Sequence, residues 1–311
     1  MESLKGKNIL VTGGAGFIGY HLCRKLLENS ANITIYDNLS TGKIENVENL
    51  PKPVEFIKGD IRNLEMLENS TKKFDLIFHL AAQVSVPNSM ENPLEDFEIN
   101  AYGTLKVLEL ARKKDARVVY TSSAAVYGKP AKTPTPEDCP LKPTSFYGLS
   151  KLVGEKYCNM YMEKYGLEAS IMRIANAYGS RGHGVIADFL NKIRKNPKQL
   201  EIIGSGLQSR DFVHISDVVE ALILAATAKE AAGKTFNVGF GKTTKVVDLA
   251  KMLLKMLKLY DTVITTTNKS WKGDIPIIWL DISYIQKILK WAPKISIEDG
   301  LKNLISIERL L

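Results

Sequence analysis

Apolar positions in the first 174 residues fall into short, nearly continuous runs, separated by stretches in which they recur every three or four positions. Asn8–Thr12 reads as a strand, and Phe17–Glu28 as a helix with Ile18, Leu22 and Leu26 on one face. Ile33–Tyr36, Val54–Ile57, Phe74–Leu80 and Arg117–Thr121 read as further strands, and Leu94–Lys113 as one long helix. Strands apolar on both faces, alternating with helices, predict an α/β fold with a doubly wound parallel sheet.

Five prolines between Pro130 and Pro143 mark a loop. A helix is predicted from Ser145 to Tyr165 and a strand over Glu168–Ile174. The alternation then fades. Segments 176–210 and 260–285 read as mixed structure with Gly-rich turns, forming a smaller lobe over the carboxyl edge of the sheet. His214–Ala226 and Val246–Leu259 read as helices, with Lys234–Val238 a strand between them.

The first strand runs into Thr12-Gly13-Gly14-Ala15-Gly16-Phe17-Ile18-Gly19, which contains G-x-G-x-x-G between a strand and an amphipathic helix. Glycines permit a tight turn and close backbone approach to a pyrophosphate, and the helix N-terminus offers free N–H groups. The second strand ends at Asp37, roughly 20 residues on, where a carboxylate can accept from ribose hydroxyls. An acid there would repel a 2′-phosphate, so NAD is expected rather than NADP. This predicts a Rossmann-type cofactor domain over 1–173, a mainly substrate-binding lobe over 174–311, and packing of 211–240 back onto the first domain.

Tyr147-Gly148-Leu149-Ser150-Lys151 places a tyrosine and a lysine one helical turn apart. A free phenol has a pKa of about 10, and a neighbouring ammonium favours its ionised form. Tyr120 to Gly128 ends the fifth strand with Ser122 and Ser123, and His79-Leu80-Ala81-Ala82-Gln83 ends the fourth. All three elements converge on the carboxyl edge, where such sheets bind ligands.

Hydrophobic residues make up 45% of the 311 and charged residues 24%, the balance of an ordinary globular enzyme. The formal net charge is +8 with dispersed lysines, which indicates a solvated basic surface, suited to an anionic substrate, rather than a nucleic-acid site. Three cysteines and four histidines show no metal-ligand spacing, so no metal is expected. No apolar run approaches the roughly 20 residues of a membrane helix, and Met1–Asn8 lacks a signal-peptide core, so a cytoplasmic location is expected.

The glycine loop, Asp37, Gly59-Asp60, His79–Gln83, Ser122-Ser123 and Tyr147/Lys151 resemble, in order and spacing, the extended short-chain dehydrogenases/reductases. Further likeness lies in Arg173–Asn176, Arg210–His214, Phe236–Gly239 and Gly273-Asp274, nearest to the UDP-glucose 4-epimerase branch. The resemblance implies NAD-dependent 4-epimerisation of a UDP-sugar. It places Gly13, Gly16, Phe17, Ile18 and Gly19 at the pyrophosphate, and Asp37 and Asn38, with Ser40 and Gly42 nearby, at the ribose. Asp60 and Ile61 fall at the adenine. Leu80, Ala81, Ala82, Gln83, Asn100, Ser122, Tyr147 and Lys151 fall around the nicotinamide half.

Catalysis is assigned by the same likeness to Ser123, Tyr147 and Lys151. Asn176 and Arg210 fall at the UDP diphosphate, and Asp274 near the nucleotide. Where many family members carry a diphosphate-binding arginine, this chain has Trp271, with Lys272 beside it. Ile278 stands where glucose-restricted epimerases carry a bulky tyrosine, which implies room for a 2-acetamido group. Dehydratases and decarboxylases of the family keep acids near the Ser122 segment; this chain has Ser123-Ala124-Ala125. The alternatives are a sibling activity, such as epimerisation of UDP-glucuronate, or a non-catalytic NAD-binding regulator. The resemblance also implies a homodimer built on the Leu94–Lys113 and Ser145–Tyr165 helices.

Overall fold

The computed structural model describes residues 4–308, so the first three residues of the polar N-terminal stretch lie outside the described residues. Seven strands form one parallel sheet: β1 (Asn8–Thr12), β2 (Asn32–Asp37), β3 (Glu55–Lys58), β4 (Leu76–His79), β5 (Arg117–Ser123), β6 (Ala169–Ile174) and an edge strand, Lys234–Val238. Across the sheet the order is edge strand, β6, β5, β4, β1, β2, β3. The chain winds outward from β1 through β2 to β3, then returns to lay β4 on the other side of β1. Where the order reverses, the connections leave in opposite directions and a crevice opens at the carboxyl ends of β1 and β4.

Strand side chains alternate between the faces, and each face is covered. Ile9 and Val11 join the cluster under the helices Phe17–Glu28 and Ile215–Thr227; Leu10 joins that under Gly103–Lys114 and Phe146–Tyr165. Leu22 and Leu26 are fully buried on the first face, each stabilising the packed helix by about 1.5–3 kcal/mol.

The expected single helix over Leu94–Lys113 is broken. Pro93–Asp96 is a short α-helix, Phe97–Tyr102 is a π-turn, and Gly103–Lys114 resumes the α-helix. In the wide turn the Thr104 hydroxyl donates to the Asn100 carbonyl at 2.6 Å, while the Asn100 side chain reaches out of the element. Insertions of this kind are frequent at functional sites.

Segments 176–210 and 260–285 are more regular than expected. Val185–Lys195 is a helix, and Gln199–Ile202 pairs in parallel with Val263–Thr266. With Val246–Met256 and Ile297–Ile307 they enclose a separate cluster around Phe189, Leu200, Leu253 and Leu301. Two short strand pairs lie near the sheet's carboxyl edge. Asn176–Tyr178 runs beside Phe212–His214, and Ser209–Arg210 beside Thr244–Lys245.

Candidate active site

Gly13 leaves β1 with φ +72°, and a Cβ there would lie 2.6 Å from the Ala81 nitrogen. Only glycine lets the loop after β1 pass this close to the loop after β4. A Cβ at Gly19 would overlap the Gly13 carbonyl oxygen, so the first helix also begins hard against the loop. That helix starts at Phe17 with Gly16 before it and no side chain capping its first N–H groups. Ile18 is half-buried. The Phe17 ring packs edge-on against His21 and His183, which leaves its backbone N–H as the group available to a phosphate.

Asp37 is buried and clasps two turns. One oxygen accepts from Ala15 N at 3.0 Å and the other from Leu39 N at 2.8 Å. Burial pushes its carboxyl up, and these two N–H groups pull it back. Each oxygen keeps a lone pair for a further donor. Gly42 approaches it closely, since a Cβ there would lie 2.9 Å from Asp37 Oδ1.

Asn38 donates to Asp60 at 2.9 Å and accepts from the nitrogen of exposed Ser40. The Arg62 guanidinium holds the Asp60 carboxyl down at about 2. The Ile61 side chain points into the core against Gly103.

The loop after β4 is held from behind. Leu80 N donates to Thr12 O at 3.1 Å and Ala81 N to Thr12 Oγ1 at 3.3 Å. Ala82 is half-buried between them and Gln83. Asn100, buried in the π-turn, accepts from Gln83 N and donates to Gln83 O, both at 2.9 Å. His79 is wedged between Thr12 Oγ1 and Thr104 Oγ1 at 2.8 and 2.9 Å, and burial drives its pKa to about 3.

The Ser145 hydroxyl caps the Phe146–Tyr165 helix, and Gly166 ends it in the left-handed region. Tyr147 therefore lies in the first turn. Burial raises its phenol, while a hydrogen bond with Ser123 lowers it. Lys151, one turn on, is buried with Nζ 4.6 Å from the centre of the Tyr120 ring. Desolvation draws its ammonium down to about 8. Ser123 turns to Tyr147, whereas Ser122, on the opposite pleat, donates to Glu155.

Glu155 was not singled out by the sequence reading, although it stands one turn beyond Lys151 in the series 147, 151, 155. Its two oxygens accept from Arg173 at 2.9 and 2.8 Å, and both side chains are almost wholly buried. Arg173 passes the network to the Tyr127 hydroxyl at 2.8 Å, and Tyr127 donates to Asn237 at 2.7 Å. Asp96 was missed as well; it is buried and accepts from Asn100 at 3.0 Å.

The expected substrate residues sit around the short strand pairs. Asn176 follows β6, and its side-chain oxygen is buried with no protein partner. Arg210 is buried against Asp274 at 2.6 Å, so the acid expected beside a nucleotide holds the arginine in place. Lys272 and Trp271 are exposed at the rim. Ile278 donates its N–H to Ser209 O at 3.0 Å and packs near Ala124 and Tyr127. Among the described residues no group of three acids, histidines or cysteines is arranged to hold a metal ion, and no helix is long and apolar enough to cross a membrane.

A glycine cradle under an uncapped helix, an acid ending β2 and a Tyr–Lys pair at the switch point define a nicotinamide-dependent enzyme of the Rossmann type. The chain belongs to the NAD dependent epimerase/dehydratase family, which its residues 9–239 match. It is 40% identical to a putative UDP-glucose 4-epimerase of Methanocaldococcus jannaschii, over 96% of this chain and 97% of that one. A UDP-glucose 4-epimerase from Thermotoga maritima, solved with UDP-glucose, is similar at TM-score 0.91 and 37% identity, covering 97% and 98% of the two chains. A UDP-N-acetylglucosamine 4-epimerase from Methanobrevibacter ruminantium is similar at TM-score 0.90 and 32% identity, covering 98% and 99%. UDP-glucuronic acid decarboxylase 1 of Xenopus tropicalis is 33% identical, over 96% of this chain and 71% of that one. The cofactor of the family is NAD, and the cradle and Asp37 fit its pyrophosphate and ribose.

Proposed function

We propose that this enzyme interconverts UDP-sugars at C4 of the hexose, with UDP-glucose/UDP-galactose as substrates and room for 2-acetamido sugars. The observation that carries the reading is the Ser123–Tyr147–Lys151 set at the crevice, beside Ala124 and Ala125 where eliminating and decarboxylating relatives need acids. Tyr147 accepts the proton of the O4 hydroxyl with Ser123 bridging. Lys151 keeps a positive charge one turn away. Bound NAD supplies the hydride acceptor and donor at C4. Asn176 and Arg210 hold the diphosphate and Lys272 approaches it from the rim, while the keto sugar turns over on that anchor. Ile278, with no polar group of its own, lines the sugar side.

The glycine loop (Gly13, Gly16, Gly19), Asp37, Asn38 and the Leu80–Gln83 loop hold the cofactor in this reading. Asn100 acts through Gln83, since its polar atoms are spent on that backbone. Residues 1–173 form the cofactor domain, with 211–240 returning to it, and the remainder of 174–311 is the substrate lobe. Incubating the purified protein, with no cofactor added, with UDP-glucose, UDP-N-acetylglucosamine and UDP-glucuronate separately tests this by proton NMR. The 4-epimer of the first is expected, and of the second if Ile278 leaves space. No product from any of them, even with NAD added, sinks the assignment.

The same reading includes a homodimer. Leu94 on the Pro93–Asp96 helix, Phe97 and Tyr102 on the π-turn, and Leu149, Tyr157 and Met160 on the Phe146–Tyr165 helix are exposed, a set of large apolar side chains unusual for a free surface. Sedimentation equilibrium is expected to give twice the 34.6 kDa chain mass; a monomer at micromolar concentration contradicts it.

A further inference from the structure

We propose that Asp96 is a positioning residue of this centre: its buried carboxylate fixes Asn100 and Gln83 beside the nicotinamide site and supplies the negative charge that keeps Lys151 an ammonium next to Tyr147. The inference deepens the epimerase reading and rests on it. Asp96 is 1% exposed, yet it ends a helix of only four residues that leads into the π-turn. One oxygen accepts from Asn100 Nδ2 at 3.0 Å and Gln83 Nε2 at 3.2 Å. The other is buried with no protein partner. Asn100 Nδ2 also reaches Ser150 Oγ at 3.2 Å, which ties this acid to the residue preceding Lys151. A carboxylate placed this deep with half its lone pairs unused is costly unless its charge has a use.

The surrounding charges show what that use is. Lys151 packs its Nζ on the Tyr120 ring from β5 and lies within electrostatic reach of Asp96 from the Pro93–Asp96 helix, of Glu155 and Cys158 from its own helix and of His79 from β4. Tyr147 is faced by Ser123 and Asp96. His79 is neutral, and burial drives the Cys158 thiol far above its usual range, so neither carries charge near neutrality. Glu155 is committed to Arg173 through two contacts of 2.8–2.9 Å. Among the described residues this leaves Asp96 as the carboxylate free to balance a desolvated Lys151. Lysine left alone in such a site loses its proton, and the phenolate then loses its cation.

The sign is definite. A negative charge raises the pKa of both neighbours, so removing it lowers both. Asp96→Asn keeps the size and the acceptor for Asn100 but deletes the charge. In kcat/KM against pH, the limbs belong to the coupled Tyr147–Lys151 pair, and both are expected to move down by about one pH unit. A purely structural part for Asp96 lowers the rate without moving the profile.

A second readout needs no substrate. Ultraviolet titration of the Tyr147 phenolate, with Tyr147→Phe as the blank, is expected to show the same downward shift in Asp96→Asn. This holds whether or not the sugar assignment is right. An unmoved profile together with an unmoved phenolate titration overturns the proposal. Should Asp96→Asn fail to fold, carboxyl ¹³C and lysine ¹⁵N shifts in the unaltered protein decide it. Matched inflections of Asp96 and Lys151 support the coupling, and independent ones refute it.

Discussion

Tyr147→Phe is expected to retain its NAD and lose turnover by about a hundredfold to ten-thousandfold, the range a positioned acid–base group contributes. The aromatic ring stays in the first turn of its helix, because the Ser145 cap and the buried face of that helix are untouched. What disappears is the phenol oxygen that Ser123 hydrogen-bonds. The cofactor cradle lies on β1, β2 and the loop after β4, so binding has no reason to change. Dialysis followed by denaturation and assay of the released nucleotide checks retention, and a coupled assay checks turnover. Activity within threefold of the parent removes Tyr147 from the chemistry. In the parent protein kcat/KM is expected to fall above pH 8 as Lys151, drawn down to about 8 by burial, loses its proton.

Glu155→Ala is expected to cost stability rather than chemistry, by about 3–5 kcal/mol. The variant strands the Arg173 guanidinium, whose side chain is only 6% exposed, without its carboxylate. Tyr127 and the Glu137 carbonyl remain as its partners, and neither carries the opposing charge. The exchange Glu155→Leu with Arg173→Met removes both charges at similar volume and is expected to lie nearer the parent than either single change. Urea unfolding of the parent, the single variants and the double variant makes the comparison. Losses below 1 kcal/mol in the single variants contradict the account.

These two residues also mark where the sequence was readable and where it was not. The six strands β1–β6 were legible because a parallel sheet covered on both faces needs nearly unbroken apolar runs, which Leu76–His79 and Ala169–Ile174 supply. The glycine loop was legible because its turn and its close approaches admit no side chain. Gln199–Ile202 was hidden: four residues, alternately exposed and buried, carry too little signal beside a helix that ends four positions earlier. The π-turn was hidden because Phe97–Tyr102 contains neither proline nor glycine, and the bond between Asn100 and a loop seventeen positions back is made only by the fold.

Tyr147 and Lys151 announced themselves by spacing on one helix. Glu155 and Asp96 did not, because a buried charge is recognised only by its partner, and theirs, Arg173 and the Asn100–Lys151 cluster, are brought up by the fold. Arg210 was legible as a charge but not as half of a pair with Asp274, 64 residues further on.

The proposed epimerisation requires that a C4 hydrogen leave the sugar and return to the same carbon inside one closed site. UDP-glucose deuterated at C4 should be incubated with the protein in ordinary water with no added cofactor. UDP-galactose with the deuterium still at C4 is expected. Epimer that has exchanged its label for solvent hydrogen, or labelled substrate left unconverted, would contradict it.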